Sequence, residues 1–366
     1  MSFRSRRVII STPFYMGFLF FLLKYIFLLI GDVNEACLII LAILIGSFHL
    51  IPMFFEAKKS TVFWRMVSTI DGVCMWASLM FVIDLAIIYL LRMFIHIPDI
   101  LIYILLAAVP ILGIYNYYKA HKLTVNERIL EFDNLTQDIN IVHLSDVHFG
   151  SVRHREIIHK ISSKLKELEY DCDIAIISGD LADGSSIIEE DDFMELKDVG
   201  MPIVFTPGNH DFYMGIDNVV RACKNAGVIV LDNDCLEFKN LNIYGLTYSF
   251  DEIEMPTADE LKSKISQNLV NILVYHVPYN WEEFSSLGFD VQLSGHTHGG
   301  QFYPVVNFSW ILFKYNMGLF KNDLGKYLHV TTGVGSMDTP MRWGTDSELV
   351  ILKLRKNDSL KKDRVY

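Results

Sequence analysis

Cysteine is scarce in this chain, and the little there is forms no pattern. The five residues are Cys37, Cys74, Cys172, Cys223 and Cys235, with no CxxC pair among them. That argues against a zinc ribbon or a disulfide framework, and a reducing compartment is the simpler reading. Basic charge is short as well: 32 Lys and Arg stand against 43 Asp and Glu. Neither an internal repeat nor a low-complexity tract is visible.

The charge deficit is uneven. Residues 1–118, dominated by Ile, Leu, Phe, Met and Val, carry eight basic and six acidic side chains, net +2, whereas the remainder carries 24 and 37, net −13. An acidic unit repels the phosphates of nucleic acid, so no nucleic-acid partner is expected. Composition thus divides the chain into a four-span transmembrane region at 1–118, a linker at 119–138 and a soluble domain at 139–366.

Four apolar stretches are long enough to cross a bilayer as helices, at 8–30, 36–55, 72–95 and 97–118. Arg4, Arg6 and Arg7 precede the first, Lys58, Lys59 and Arg65 separate the second and third, and Lys119, Lys122 and Arg128 follow the fourth. The other two connections hold Asp32 and Glu35 in one case and almost nothing in the other. Basic loops face the cytoplasm, so the reading is an integral protein of the cell membrane with both termini and the soluble domain in the cytoplasm. One feature competes with that orientation. Ser5-Arg6-Arg7-Val8-Ile9-Ile10 resembles a twin-arginine export signal, which would place the domain outside. Against it, no small-residue cleavage site is evident and three further spans follow. Asp84 falls inside the third span, where a carboxylate is costly unless it meets protein or water. A helix–helix hydrogen bond is the simpler expectation, and a polar path through the bundle is the alternative.

After residue 138 the pattern changes to short apolar runs bounded by Gly and Pro, which read as buried strands. They lie at 139–144, 174–177, 202–205, 271–275 and 291–293. Runs at 229–231, 242–245, 327–331 and 348–354 suggest a second sheet. Between the first two runs, Ile157, Ile158, Ile161, Leu165 and Leu168 recur at helical spacing against Lys and Glu. The expected fold class is α/β, a two-sheet sandwich flanked by helices and preceded by an all-α four-helix transmembrane region.

Polar cassettes follow the strand ends. They are Asp146-x-His148, Gly179-Asp180, Gly208-Asn209-His210-Asp211, a lone His276, and Gly295-His296-Thr297-His298. Carboxylate and imidazole together suit Mn, Fe or Zn rather than Mg alone. A carboxylate such as Asp180 can bridge two cations, and Asn209 adds an oxygen without adding charge. Two divalent cations are therefore expected, manganese first with iron or zinc as alternatives, about 3.5–4 Å apart as in two-metal hydrolases. Each cassette alone is weak; all five in order are specific.

The ordered set DxH, GD, GNH(D/E), H and GHxH resembles the calcineurin-like metallophosphoesterase superfamily across residues 140–354. Leu293 to Gln301, with Thr332-Gly333-Val334-Gly335 and Pro340-Met341-Arg342, is similar to a bacterial branch of phosphodiesterases that includes YkuE- and YaeI-like proteins. The resemblance implies that Asp146, His148, Asp180 and His298 hold one metal. Asp180, Asn209, His276 and His296 would hold the other, with Asp180 bridging. It implies His210 as the general acid, oriented by Asp211, and in-line attack on phosphorus by hydroxide held between the metals. A histidine beside a carboxylate is also what neutral-pH acid catalysis asks for.

Other residues are read as follows. His143 is expected to point away from the site. Arg153 and Arg342 are weighed as phosphate contacts, against a solvated helix start for Arg153, with His154 beside it; Tyr213 is weighed as a pocket wall against core packing. The aromatic run 302–320 is either a membrane-facing lip or an internal strand and helix of the second layer. The partners expected are the bilayer and a phosphoester substrate, with a lipid headgroup or lipid pyrophosphate as one candidate. Related proteins of the superfamily hydrolyse UDP-linked diacyl sugars. A tethered phosphodiesterase for a soluble substrate and a non-catalytic metal-binding sensor are the alternatives; the intact His210-Asp211 pair argues against the sensor.

Overall fold

The computed structural model describes residues 3–56, 58–250 and 255–357, with side chains in the first helix described from Val8 onward. The side chains of Arg4, Arg6 and Arg7, which carry the twin-arginine-like start, lie outside the described residues. The first third forms four helices: α1 (Phe3–Ile30), α2 (Glu35–Glu56), α3 (Val62–Arg92) and α4 (Asp99–His121). Each holds a stretch long and apolar enough to cross a membrane. Their outer faces carry exposed Ile40, Leu44, Ile104, Ile111 and Ile114, as lipid-facing surfaces do.

α3 starts at Val62, well before the apolar stretch at 72, because Thr61 caps it: its Oγ1 accepts the Trp64 amide at 3.3 Å. Asp84 sits half-buried in α3, and its Oδ2 has no hydrogen-bond partner among the described residues. The helix–helix bond expected of it is not made by that atom. A polar contact between α2 and α3 runs instead from His49 Nδ1 to Asp71 Oδ2, at 2.9 Å.

α4 does not run into a linker. Only Lys122 separates it from β1 (Leu123–Phe132), which pairs in parallel with β12 (Ser347–Lys356) along its whole length. Residues 123–132 are thus an edge strand. Its period was illegible because only Leu130 and Phe132 are buried on it.

The strands build two six-stranded sheets. In the first, β2 (Ile139–Leu144), β3 (Ile174–Ser178), β4 (Ile203–Thr206) and β5 (Ile229–Val230) run parallel, and the order is β1-β12-β2-β3-β4-β5. The second sheet contains β6 (Asp234–Phe238), β7 (Leu241–Leu246), β8 (Val270–Tyr275), β9 (Val291–Ser294), β10 (Gly318–Lys321) and β11 (Tyr327–Val330). Its order is β10-β11-β9-β8-β7-β6, with the central four parallel. Sequence runs at 229–231 and 348–354 were expected in the second sheet and lie in the first; those at 271–275 and 291–293 lie in the second. Strand pairing depends on contacts distant in sequence, so local pattern finds the strands but not their partners.

Alternation on the central strands explains the layers. Ile139, Ile141, Ile174, Ile176 and Val204 face Ile243, Ile272, Val274, Val291 and Leu293 across the sandwich. The intervening Val142, Leu144, Ala175, Ile177, Ile203 and Phe205 pack under α5 (Arg155–Leu168) and α6 (Ile216–Asn225). Strands buried on both faces read as continuous apolar runs, as these do.

The bundle and the sandwich touch closely. Phe302 and Met341 share an apolar cluster with Trp76, Met80 and Val109 of α3 and α4. A Cβ at Gly72 would come 2.5 Å from the Asp338 carbonyl oxygen, so only glycine permits this approach of α3.

Candidate metal centre

All five cassettes leave the C-terminal ends of parallel strands: β2, β3 and β4 in one sheet, β8 and β9 in the other. That edge is where open α/β sheets place their sites, because the loops there diverge and leave a crevice. Here the two sheets bring their loop-bearing ends together.

Three groups of side chains converge. Asp146, His148 and His298 form one, Asp180, His276 and His296 a second, and His148, Asp180 and His210 link them, each group with its ligand atoms within 4.8 Å. His298 Nε2 lies 3.3 Å from Asp146 Oδ1, and His276 Nε2 lies 3.0 Å from Asp180 Oδ2. His148 Nε2 faces His298 Nε2 at 3.0 Å and stands 3.9 Å from Asp180 Oδ2. Asn209 joins through Oδ1, 3.1 Å from His296 Nδ1. The structure therefore brings every candidate ligand named from the sequence into one place.

The donor set fits two divalent cations. His276 Nε2 is fully buried, 3.0 Å from Asp180 Oδ2, and has no hydrogen-bond partner among the described residues. A buried imidazole nitrogen left unpaired beside carboxylates is what a metal site provides. His276 Nδ1 donates to the Ser178 carbonyl at 2.8 Å, which fixes the tautomer that leaves Nε2 free.

The backbone is strained for this purpose. Asp146, His148, Asp180, His296 and His298 have φ of 51°, 50°, 53°, 69° and 50°. For residues with a Cβ that left-handed region costs roughly 1–2 kcal/mol each, so the ligands are held by their surroundings against local preference. Gly295 makes room beside them: a Cβ there would lie 2.2 Å from Asp146 Oδ2.

Burial alone would push the Asp146 carboxyl up, but His298, His148 and His276 outweigh it and hold the group well below its usual range. At His276 burial pulls down, and Asp180 with Asp146 more than reverses this, raising the imidazole to about 10. The site favours positive charge where these groups meet, whether a proton or a metal supplies it.

His210 and Asp211 occupy different positions from those the motif suggested. The His210 ring gives its Nδ1 proton to the Asp183 carbonyl at 3.0 Å, not to Asp211. Asp211 instead accepts the amides of Asp180 at 2.9 Å, Ala182 at 2.8 Å and Gly208 at 2.8 Å. It ties the second and third ligand loops together. Burial and the nearby Asp180 charge push its carboxyl up to about 7.

Arg342 and Arg153 are fully enclosed, so neither offers a phosphate contact. Arg342 Nη2 donates to the carbonyls of Thr332 at 2.6 Å and Gly335 at 2.7 Å, clamping the loop that packs on Asp146. Arg153 Nη2 donates to the Ala120 carbonyl at 2.7 Å, at the end of α4. Both guanidinium groups are lowered to about 10 by burial. His143 lies between the sheets, its Nδ1 2.7 Å from His329 Nδ1 and its Nε2 2.8 Å from Ser178 Oγ. His154 stands over Phe149, ring centroids 4.4 Å apart.

The rim is aromatic. Tyr213 stands 4.8 Å from the His210 ring and is exposed, so it walls the opening. Phe250 and Tyr248 extend that wall, and Phe313 lies 5.9 Å from His296 on the other side. Sequence reading passed over Tyr248, Phe250 and the Asp183 carbonyl, since no motif carries them.

Comparison with known proteins agrees with this geometry. A family model described as calcineurin-like phosphoesterase matches residues 139–300. An uncharacterised metallophosphoesterase of Helicobacter pylori is 27% identical over 236 residues, which are 63% of this chain and 63% of that protein. The uncharacterised protein YpbG of Bacillus subtilis is 33% identical over 222 residues, 59% of this chain and 81% of the relative. A transmembrane protein with metallophosphoesterase domain from Danio rerio is 24% identical over 284 residues, 69% and 61% of the two chains. The two-sheet sandwich and its clusters of candidate metal ligands fit that family model, and the chain belongs to the calcineurin-like phosphoesterase family.

Proposed function

We propose that this protein is a membrane-anchored, dinuclear metal-dependent hydrolase of a phosphodiester or pyrophosphate bond in a lipid headgroup. One observation carries the reading: loops beside the ligands pack directly on the membrane helices, through Phe302 and Met341 against Trp76 and through Arg342 N to the Asn116 carbonyl at 3.1 Å. The anchor is residues 1–118 and the chemistry belongs to 139–366, with 123–132 adding the edge strand. Basic loops favour a cytoplasmic catalytic domain. The YkuE- and YaeI-like branch rests on the sequence resemblance of 293–301, 332–335 and 340–342 alone.

Asp146, His148, Asp180 and His298 would hold one cation, and Asp180, Asn209, His276 and His296 the other, manganese being the first choice. When bound, two such cations activate water and neutralise the charge that develops on phosphoryl oxygens. The side chains do the rest. His210, pinned through Nδ1 to the Asp183 carbonyl, presents Nε2 to the cleft and gives its proton to the leaving oxygen. Asp211 keeps the loops of Asp180 and Gly208 in register, acting on His210 through the backbone.

The test is manganese-dependent cleavage by the full chain in detergent, comparing a UDP-linked diacyl sugar with bis(p-nitrophenyl) phosphate. The lipid substrate is expected to be preferred by about tenfold or more in kcat/KM, because remote binding energy serves the transition state. Equal or better cleavage of the soluble diester would make the helices a tether only. Cleavage of neither would revive the sensor.

A further inference from the structure

We infer that helix α9 (Val305–Leu312) is a membrane-inserted lip, its outer face lying in the leaflet that α3 and α4 cross and leading towards the His296 side of the metal centre. The lip deepens the lipid reading above, and the part about substrate entry rests on it.

α9 contains no charged residue. Val306 and Ser309 face inward, and Ser309 Oγ accepts Asn316 Nδ2 at 2.8 Å, so the helix is fixed to the domain. The other face presents Phe308, Ile311 and Leu312 at 59%, 79% and 74% exposure, with Trp310 on its flank at 46%. Four large apolar side chains left open on one short helix call for an apolar surface to meet them.

Position says which surface. Phe302 and Val305, at the base of α9, share one cluster with Val73 and Trp76 of α3 and Leu112 of α4. Further along α4, Tyr115, Tyr117 and Tyr118 are exposed, as in the aromatic belt where a span leaves the bilayer. Leu112 precedes Tyr118 by two turns or slightly less, about 9 Å along a helix. The base of α9 is therefore set below the belt, within the depth of roughly 5–10 Å that interfacial helices reach. Continuity with the membrane bundle selects the bilayer over a soluble partner. Charge resumes directly after the helix: exposed Lys314 pairs with Glu282, at the level of headgroups.

Phe313 connects the lip to the chemistry. It follows Leu312 in the chain, stands 5.9 Å from the His296 ring and stacks on Tyr279 at 6.3 Å. The acid His210 lies beside Tyr213. A substrate drawn from the leaflet would keep its acyl portion along α9 and expel its headgroup past His210.

Depth is measured on the full chain in phosphatidylcholine vesicles whose acyl chains carry bromine, comparing wild type with Trp310→Phe. Bromine-quenchable fluorescence is expected to fall when Trp310 is removed. Removal of a component quenched by aqueous iodide would overturn the lip. So would a component reached by neither quencher, as when a second copy covers the helix. The paired variant Ile311→Asp with Leu312→Asp separates entry from chemistry. Cleavage of the UDP-linked diacyl sugar is expected to fall several-fold while bis(p-nitrophenyl) phosphate is cleaved as before. Equal loss on both substrates would refute the entry route. If wild type cleaves neither, the hydrolase reading fails and the quenching result still decides the lip.

Discussion

Asp180→Asn is expected to reduce turnover about 10³-fold or more and to remove at least one metal per chain. The residue lies between both clusters: its Oδ2 is 3.0 Å from His276 Nε2 and 3.9 Å from His148 Nε2. Its Oδ1 also accepts the His210 amide at 2.9 Å. Asparagine keeps the shape and removes the negative charge that two cations would share. Charge stabilisation by a catalytic metal contributes several kcal/mol, and each 1.4 kcal/mol is tenfold in rate. Metal analysis alongside kcat separates loss of metal from loss of fold, with secondary structure expected to remain. Two metals retained with activity within tenfold of wild type would show that Asp180 bridges nothing.

His210→Gln has the second largest expected effect, about 10²–10⁴ in kcat, the range of a lost general acid. Here the metals should stay. His210 is also one of the group with His148 and Asp180, so a ligand role is a concrete rival. Leaving-group dependence distinguishes them. An alkyl oxygen needs the proton, whereas p-nitrophenolate departs as a stable anion, so the loss should be large for alkyl esters and small for p-nitrophenyl ones. Metal loss, or an equal decline on both esters, would make His210 a ligand.

Much of the site was legible because each candidate ligand sits at the end of an apolar strand, most of them beside a glycine-bearing turn. Asp146 after β2, Asp180 after β3, Asn209 after β4, His276 after β8 and His296 after β9 all obey that rule. The four spans were equally plain, since twenty apolar residues have few other uses. What failed was long-range. β12 inserts between β1 and β2, which no local period announces, and β1 itself was taken for a linker. Arg342 was weighed as a substrate contact from its place in the loop with Gly344, yet its Nη2 is spent on the Thr332 and Gly335 carbonyls. Asp211 was assigned to the neighbouring imidazole, although three backbone amides claim it. Within the run 302–320, α9 is exposed and not internal, and β10 joins the second sheet as its edge strand.

The most direct measurement is the metal content of the full chain, stripped with chelator and titrated with manganese while cleavage of bis(p-nitrophenyl) phosphate is followed. Two ions per chain are predicted, with activity appearing as the second site fills. A single ion, or saturation with two ions and no cleavage of this or any lipid diester, would contradict a dinuclear hydrolase.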